Sequence, residues 1–583
     1  MQIIPRAPHP RSQWQLEQAG IHPLLAQLYA ARGITNEQEV LPDMQYLLPP
    51  DPLKGIYDAT QLLIHALEGK KKLCFVADYD CDGATACAVG IRGLIMLGFT
   101  PEQLTYIVPD RMADGYGLTP AIANRVKATG ADILVTVDNG IASIAGVAHA
   151  RQLGLQVLIT DHHLPAVVDG EVQLPPAHAI VNPNQPGCTF ASKALAGVGV
   201  MFYILIALRT MLREQGFFNQ NNQPRIDRLL DLVALGTVAD VVKLDNNNRR
   251  LVEQGLMRMR KGQMQPGVAA LFEAALRNAH VATTFDLGFS LGPRLNAAGR
   301  LADMCLGIEC LLTDDTAHAK HLTSKLDQIN RERKNIENDM LEQSLQLLDN
   351  HLTWDEEVDE SSTLPVAITI YDHAFHEGVI GILASRIKEK LHRPVFVFAP
   401  ASGAGQSGLM KGSGRSIDGL HLRDALDLIE KQHPGMLLRF GGHAMAAGCT
   451  LHEKDIEQFG IAFSKIVTEL IDANTLNRKL ETDGALLPDF CTPQTALLLK
   501  NTVWGSGFPP PLFSENMKVL SQRIVGEKHL SLKLGYHDRI INAIWFRRIA
   551  PVPSSAIFAY QLDINEWQST ASIQFIIQGM QTS

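Results

Sequence analysis

Between about Lys72 and Asp240, short unbroken apolar runs alternate with longer segments of helical spacing. The runs predict strands at 73–77, 104–108, 132–137, 156–160 and 178–181, and the segments between them predict helices at 84–97, 119–129 and 143–153. Strands that are apolar throughout and separated by helices point to a parallel sheet covered on both faces. The uncharged run 194–208 is shorter than the ~20 residues a bilayer requires, so it predicts a buried helix. Another helix is expected at 229–238, stopping just before Asp240.

Upstream, residues 1–55 are Pro-rich with short helical pieces such as 23–33, an extension expected to lie on the first domain. Downstream, Asp314 and Asp315 open a segment reaching about residue 349. In it Leu322, Leu326, Ile329, Ile336, Met340 and Leu345 keep helical spacing. So long a helix with so narrow an apolar stripe is expected to join two domains. The acidic stretch 355–363 reads as a linker. A second α/β unit is expected over about 365–473, with strands at 366–371 and 394–398 and a helix at 378–391. Its Gly-rich segments 411–416 and 439–443 read either as loops whose backbone amides approach an oxyanion or as ordinary tight turns. Residues 403–408 fit a dinucleotide-binding spacing, but no periodic helix follows them, which rejects that reading. From about Arg478, strand-like segments at 518–525, 529–534, 539–546 and 555–562 alternate with turns and predict a small OB-like barrel. The resulting division is 1–55, 56–312, 313–355, 356–476 and 477–583.

Composition narrows the class. The chain of 583 residues has a formal net charge of −9, with 46% hydrophobic and 19% charged residues, an ordinary soluble profile. An acidic chain binds nucleic acid through a local concentration of bases or through bound metal. Such a concentration lies between Lys518 and Arg548, where seven Lys or Arg oppose two acids and Tyr536, Trp545 and Phe546 are interleaved. Basic strands with aromatics hold single strands by phosphate attraction and base stacking; the alternative is ordinary core aromatics. The eight cysteines include no Cys-x-x-Cys pair, and several sit in apolar runs, which predicts reduced thiols in a cytoplasmic protein. Neither a secretory leader nor a membrane span is expected.

The candidate chemistry sits where the strands end. Asp78, Asp80 and Asp82 follow the first, Asp110 and Arg111 the second, Asp138 the third, and Asp161, His162 and His163 the fourth. Ligands of parallel sheets bind at that rim. Three carboxylates at spacing two on a continued strand would share one face and repel one another. A divalent cation relieves that cost, and Asp oxygens with imidazole suit Mn²⁺ or Mg²⁺. The plainer alternative is a solvated acidic turn with a helix-capping Asp. Asp240, at a helix C-terminus, opposes the dipole and also calls for a partner. Arg294 and Arg300, framed by Gly and Pro in 292–300, suggest a rigid loop offering guanidinium forks to phosphate, or else a structural pair bonding carbonyls.

The ordered set Asp80-Cys-Asp82, Asp138-Asn-Gly, Asp161-His162-His163 and Asp240 resembles the DHH phosphoesterase superfamily, and Gly414-Arg415-Ser416 with Gly441-Gly442-His443 resembles its associated second domain. Pro109-Asp110-Arg111, Gly115-Tyr116-Gly117, the 292–300 segment and the terminal barrel are similar to the superfamily's bacterial single-stranded-DNA 5′→3′ exonucleases. The resemblance covers nearly the whole chain. It implies two α/β domains joined by a long helix plus an OB-like barrel, and two Mn²⁺ or Mg²⁺ ions. Asp80, Asp82, Asp138, His162 and Asp240 would be ligands, with Asp138 placed to bridge. Many members carry a His where this chain has Val76, and Asp78 is an additional ligand candidate. His163, Asp138, Arg294 and Arg300 form the implied catalytic set. Arg111, Tyr116, Ser413, Arg415, Gly441, Gly442 and His443 form the implied substrate set. The reaction would release 5′-mononucleotides from single-stranded DNA in recombination and repair. Single-strand-binding protein and a helicase would be partners of a monomer. Alternatives within the resemblance are a phosphodiesterase acting on cyclic dinucleotides or short RNA, and a non-catalytic replication scaffold.

Overall fold

The computed structural model describes residues 1–111, 114–168, 170–351, 365–402, 408–567 and 570–582. The linker stretch 355–363 and most of 403–408 lie outside them. The chain divides into two compact units, one of residues 3–327 with 481–583, the other mainly 328–480.

In the larger unit, five parallel strands run in the order Leu104–Ile107, Leu73–Ala77, Ile133–Val137, Gln156–Thr160, Ala179–Val181. Period-two alternation sorts their side chains between two cores. Cys74, Val76, Leu134, Val157 and Ile159 pack with Ile122, Val126, Val147 and Ala150 of the helices Pro120–Ala128 and Ile144–Gln152. Phe75, Val135, Val137 and Leu158 join the other core, built on Cys81–Met96, Gly197–Glu214 and Leu230–Ala239. Both faces are therefore covered, as the apolar runs require. Val76 is an apolar core residue of this sheet.

Three local expectations are corrected. Residues 78–82 do not prolong the strand: it ends at Ala77, and a helix starts at Cys81 with Asp80 as its N-cap, accepting from Gly83 N at 3.0 Å. Residues 292–301 form a helix, Gly292–Leu301, rather than a loop. Pro293 is tolerated in its first turn, and Leu295, Ala297 and Ala298 are buried along it. The extension packs on the C-terminal region as well as on the first domain. Arg32 lies 2.9 Å from Asp483, and Tyr29 packs against Trp504 and Phe508.

The C-terminal strands Phe513–Val525, His529–Tyr536, Arg539–Trp545, Ser555–Trp567 and Thr570–Gln581 close a barrel. The last of these was not expected from the sequence. Tyr536 is a core aromatic, its hydroxyl donating to Leu486 O at 2.6 Å. Phe546 is exposed, and the Arg548 guanidinium lies 4.2 Å from the centre of the Trp545 ring.

The smaller unit holds a five-stranded sheet in the order Arg439–Gly442, Ala446–His452, Leu409–Arg415, Val395–Pro400, Ile368–Tyr371. Only the last pair is parallel. Both Gly-rich segments are thus strands, not loops or turns. In the first of them the glycines answer to packing: a Cβ on Gly412 would lie 2.3 Å from Phe398, and one on Gly414 would lie 2.4 Å from Phe396. Glycine there makes room for rings that also meet Phe459 and Phe463 edge-on. The long helix spans Thr316–His351, and the boundary between the units falls inside it. Among the described residues, no helix is long and apolar enough to cross a membrane, and all eight cysteines are free.

Candidate metal centre

The sheet register brings the acids together. Ala77, Val137 and Thr160 are partners on adjacent strands, so the residues that follow them emerge side by side. The ladder runs on for one residue: Asp78 N donates to Val137 O at 3.3 Å, Asp138 N to Thr160 O at 3.0 Å, and Asp161 N to Val181 O at 3.1 Å. Asp138 then turns sharply with φ +63°, a conformation that costs a non-glycine residue energy and is held by its surroundings. Asp82, in the first turn of Cys81–Met96, accepts from Gly197 N at 2.6 Å and Val198 N at 2.9 Å. The positive end of the helix Gly197–Glu214 thus faces that carboxylate. Asp240 caps the C-terminus of Leu230–Ala239.

Three groups of donor atoms result, each mutually within 4.8 Å: Asp78, Asp80 and Asp138; Asp82, His162 and Asp240; and Asp138, His162 and His163. His162 Nε2 lies 3.0 Å from Asp138 Oδ1, 3.4 Å from Asp240 Oδ2 and 3.9 Å from Asp82 Oδ2. Among the described residues, Asp78 Oδ1, Asp138 Oδ1, His162 Nε2 and Asp240 Oδ2 are buried without a hydrogen-bond partner. Buried polar atoms are rarely left so. Converging carboxylates with one imidazole, and lone pairs left over, fit a hard divalent cation.

The electrostatics carry the same strain. Burial, then the neighbouring carboxylate Asp80, pushes Asp82 up to about 7 and raises Asp78. Burial followed by the charges of Asp82 and Asp80 raises Asp138 and Asp240. Burial and then the neighbouring His163 hold His162 down at about 4, so it stays neutral and able to ligate. His163 goes the other way. Burial, its largest influence, lowers it, but the hydrogen bond and charge of Asp161, with Asp78 and Asp80, lift it to about 9.

Asp161 was given no role from the sequence, although it opens the triplet. Its buried carboxylate accepts from Ile141 N, His162 N, His163 N and His163 Nδ1, the last at 2.8 Å. It is spent on orientation, and His163 Nε2 is left 3.4 Å from the Tyr116 hydroxyl. Gly197 was also missed; a Cβ there would sit 2.6 Å from Asp138 Cβ. No local signal marks it, because its partners are Asp82 and Asp138, far away in the chain.

Tyr116 stands over the site, its hydroxyl 3.2 Å from His163 Nδ1 and its ring half-exposed. Arg111 lies over the Tyr79 ring at 5.0 Å, and the two help line a cleft of about 590 Å³. The helix Gly292–Leu301 abuts the acidic turn, with Asn296 Oδ1 accepting from Cys81 N at 2.7 Å and Arg300 acting electrostatically on Tyr79. Arg294 does not offer a fork. It pairs with Asp327 at 2.8 Å and donates to Ser290 O and Ala274 O, as the carbonyl-bonding alternative has it.

In the smaller unit, Arg415 donates to Ser413 Oγ at 3.2 Å and to Ser385 Oγ at 3.1 Å. Ser413 and Gly441 both pair with Gly448, and Gly414 and Gly442 both pair with Ala447. The sheet therefore aligns Ser413 and Gly414 with Gly441 and Gly442, while Arg415 pairs with Ala446, to whose O the following His443 donates from N.

Comparison with known proteins matches this architecture in order. The DHH family N-terminal domain matches residues 72–237, the DHHA1 domain 363–469 and the RecJ OB domain 482–579. The single-stranded-DNA-specific exonuclease RecJ of Escherichia coli is 45% identical over 580 residues, covering 96% of each chain. That of Bacillus subtilis is 30% identical over 576 residues, covering 96% of this chain and 68% of the relative. RecJ of Thermus thermophilus in complex with Mn²⁺ superposes with a TM-score of 0.80 at 29% identity, covering 100% of this chain and 80% of that one. The chain belongs to the RecJ family of single-stranded-DNA-specific exonucleases.

Proposed function

We infer that the protein is a metal-dependent exonuclease specific for single-stranded DNA, working from the 5′ end and releasing 5′-mononucleotides in recombination and repair. One observation carries this reading. Donor groups sharing Asp138 converge at the sheet's carboxyl rim, with four buried donor atoms left without partners. The activity for which its relatives are named, and the Mn²⁺ and Mg²⁺ complexes of the Thermus protein, support it.

Asp78, Asp80 and Asp138 would hold one cation; Asp82, His162 and Asp240, with Asp138 between, would hold the other. Mn²⁺ or Mg²⁺ bound there supplies Lewis acidity that draws charge from phosphate oxygens and acidifies water. The chain's own residues do the positioning. Asp161 fixes the His163 ring through Nδ1, so Nε2–H donates to a non-bridging phosphate oxygen. Water attacks phosphorus in line and the bond to the 3′ oxygen breaks. The terminal nucleotide leaves with a 3′-hydroxyl, and the shortened strand keeps a 5′-phosphate. Tyr116 and Arg111 are assigned to the substrate's base and terminal phosphate, Arg300 to phosphate charge, and Arg294 to positioning its helix. The Ser413–Arg415 pair is assigned to phosphate within the smaller unit, beside Gly441, Gly442 and His443. The domain limits 56–312, 356–476 and 477–583 follow these roles. A cytoplasmic monomer working with a helicase and single-strand-binding protein completes the reading.

Digestion of end-labelled oligonucleotides with Mn²⁺ tests it, using single strands and duplexes with either end blocked. Mononucleotide release should require a free 5′ end and a single strand, and should vanish in Asp138→Ala and His162→Ala. Wild-type rates in those variants would remove the metal assignment, and release from a 5′-blocked strand would remove the polarity.

A further inference from the structure

Two phenylalanines stand out on the surface of the larger unit. Phe285 and Phe289 are 58% and 71% exposed, and their rings stack at 4.8 Å between centres with planes 27° apart. Water-exposed aromatic faces forgo the burial that normally stabilises such side chains, so an exposed, mutually stacked pair calls for a function. The backbone beneath is also unusual. Residues Leu287–Leu291 form a π-turn, which widens the helix and re-aims the side chains it carries; such turns cluster at functional sites.

The location gives the pair an occupant. On one side the π-turn and the following residue pack on the last turn of the helix that ends at Asp240. A Cβ on Gly288 would meet Val238 at 3.4 Å, and one on Gly292 would meet Ala239 at 3.0 Å. On the other side Thr284 donates to Trp504 O at 2.7 Å, at the root of the C-terminal barrel. The segment that carries the rings therefore bridges the helix ending at Asp240 and the stretch that leads into the barrel. The polymer that joins those places in the proposed reaction is the single strand itself. Its bases are flat and apolar on both faces, and stacking on aromatics is how single strands are held without regard to sequence.

We propose that Phe285 and Phe289 form a base-stacking platform for the single strand on its way from the barrel to the site of cleavage. This rests on the exonuclease reading for its substrate class but not for its test. The platform acts on bases, so it contributes affinity for normal strands and none for strands stripped of bases. It demands a flat ring and is not served by an equally apolar aliphatic side chain.

The test is the equilibrium binding of fluorescein-labelled oligo-dT to the full chain in metal-free buffer, where nothing is cut, with Mn²⁺-dependent digestion measured separately. For Phe285→Ala/Phe289→Ala the dissociation constant should rise about tenfold or more. Phe285→Leu/Phe289→Leu should lose as much, and Phe285→Trp/Phe289→Trp should retain wild-type affinity. On an abasic strand of the same length all four proteins should bind alike. Unchanged binding by the Ala pair overturns the platform, as does full affinity in the Leu pair, which would mark an apolar face for a protein partner. A wild type that shows this pattern yet releases no nucleotides would leave the platform standing and sink the exonuclease reading. Thermal unfolding of each variant separates lost contacts from lost fold.

Discussion

Gly197→Ala is the most economical way to disturb the site without touching a candidate ligand. Gly197 opens its helix and does two things at once. Its N–H donates to Asp82 Oδ2 at 2.6 Å, and its Cα faces Asp138, so an added Cβ would lie 2.6 Å from Asp138 Cβ and 2.7 Å from its Oδ1. Ordinary contact begins near 3.4 Å, so helix or aspartate must yield by about 0.8 Å. Neither yields cheaply. Asp138 is already in a left-handed conformation, and the helix is buried along Val198, Val200, Met201 and Phe202. Overpacking of this kind costs about 1–3 kcal/mol of stability. Displacing reacting groups by about 1 Å costs about a hundredfold in rate. The expected result is therefore a modest fall in melting temperature with about a hundredfold loss in kcat/KM on single-stranded DNA, and a Mn²⁺ titration shifted to higher concentration. Gly199→Ala is the control. Its Cβ would meet only the end of the buried Leu195 side chain, at 3.2 Å, and helix propensity favours Ala, so the rate should stay near wild type with at most a small loss of stability. If Gly197→Ala keeps wild-type kcat/KM and an unshifted Mn²⁺ titration, Asp82 and Asp138 do not share the centre described here.

Other outcomes are equally open to measurement. In the metal-free protein Asp82 is raised from 3.8 to about 7, Asp78, Asp138 and Asp240 are raised too, and His163 is raised to about 9. The folded state therefore holds more protons than the unfolded one across this range, and stability should fall as pH rises from about 4 towards 9. Saturating Mn²⁺ should flatten that slope and bind more tightly at higher pH, which denaturant melts with and without EDTA would read. Arg32→Ala should destabilise the larger unit by about 1.5–3 kcal/mol, because it removes both guanidinium bonds from the buried Asp483 carboxylate, which keeps Arg6 at 3.5 Å and the Leu512 amide at 3.0 Å; urea unfolding measures it. Gly414→Ala should cost about 1–3 kcal/mol through its clash with Phe396, lowering the thermal stability of the smaller unit while Mn²⁺ binding at the larger unit's centre is unchanged.

The rim of acids was legible in the sequence because strand, turn and acid are consecutive: an apolar run that stops at Ala77, Val137 or Thr160 delivers its next residue to the sheet's carboxyl edge. Helix periods and four of the five barrel strands were equally local, but the strands Phe513–Val525 and Ser555–Trp567 run five residues beyond their expected limits and Thr570–Gln581 was not foreseen. What tertiary structure alone decided is partnership. Asp82 meets the amides of Gly197 and Val198, Asp161 turns inward to hold His163, and Arg294 closes on Asp327 instead of pointing at phosphate. The glycines of 411–416 are spacers for Phe396 and Phe398, which nothing in their own segment reveals. Periodicity encodes which face of an element is apolar. Which distant atom a polar group finds depends on how the elements pack, and that is fixed by steric fit across the whole fold.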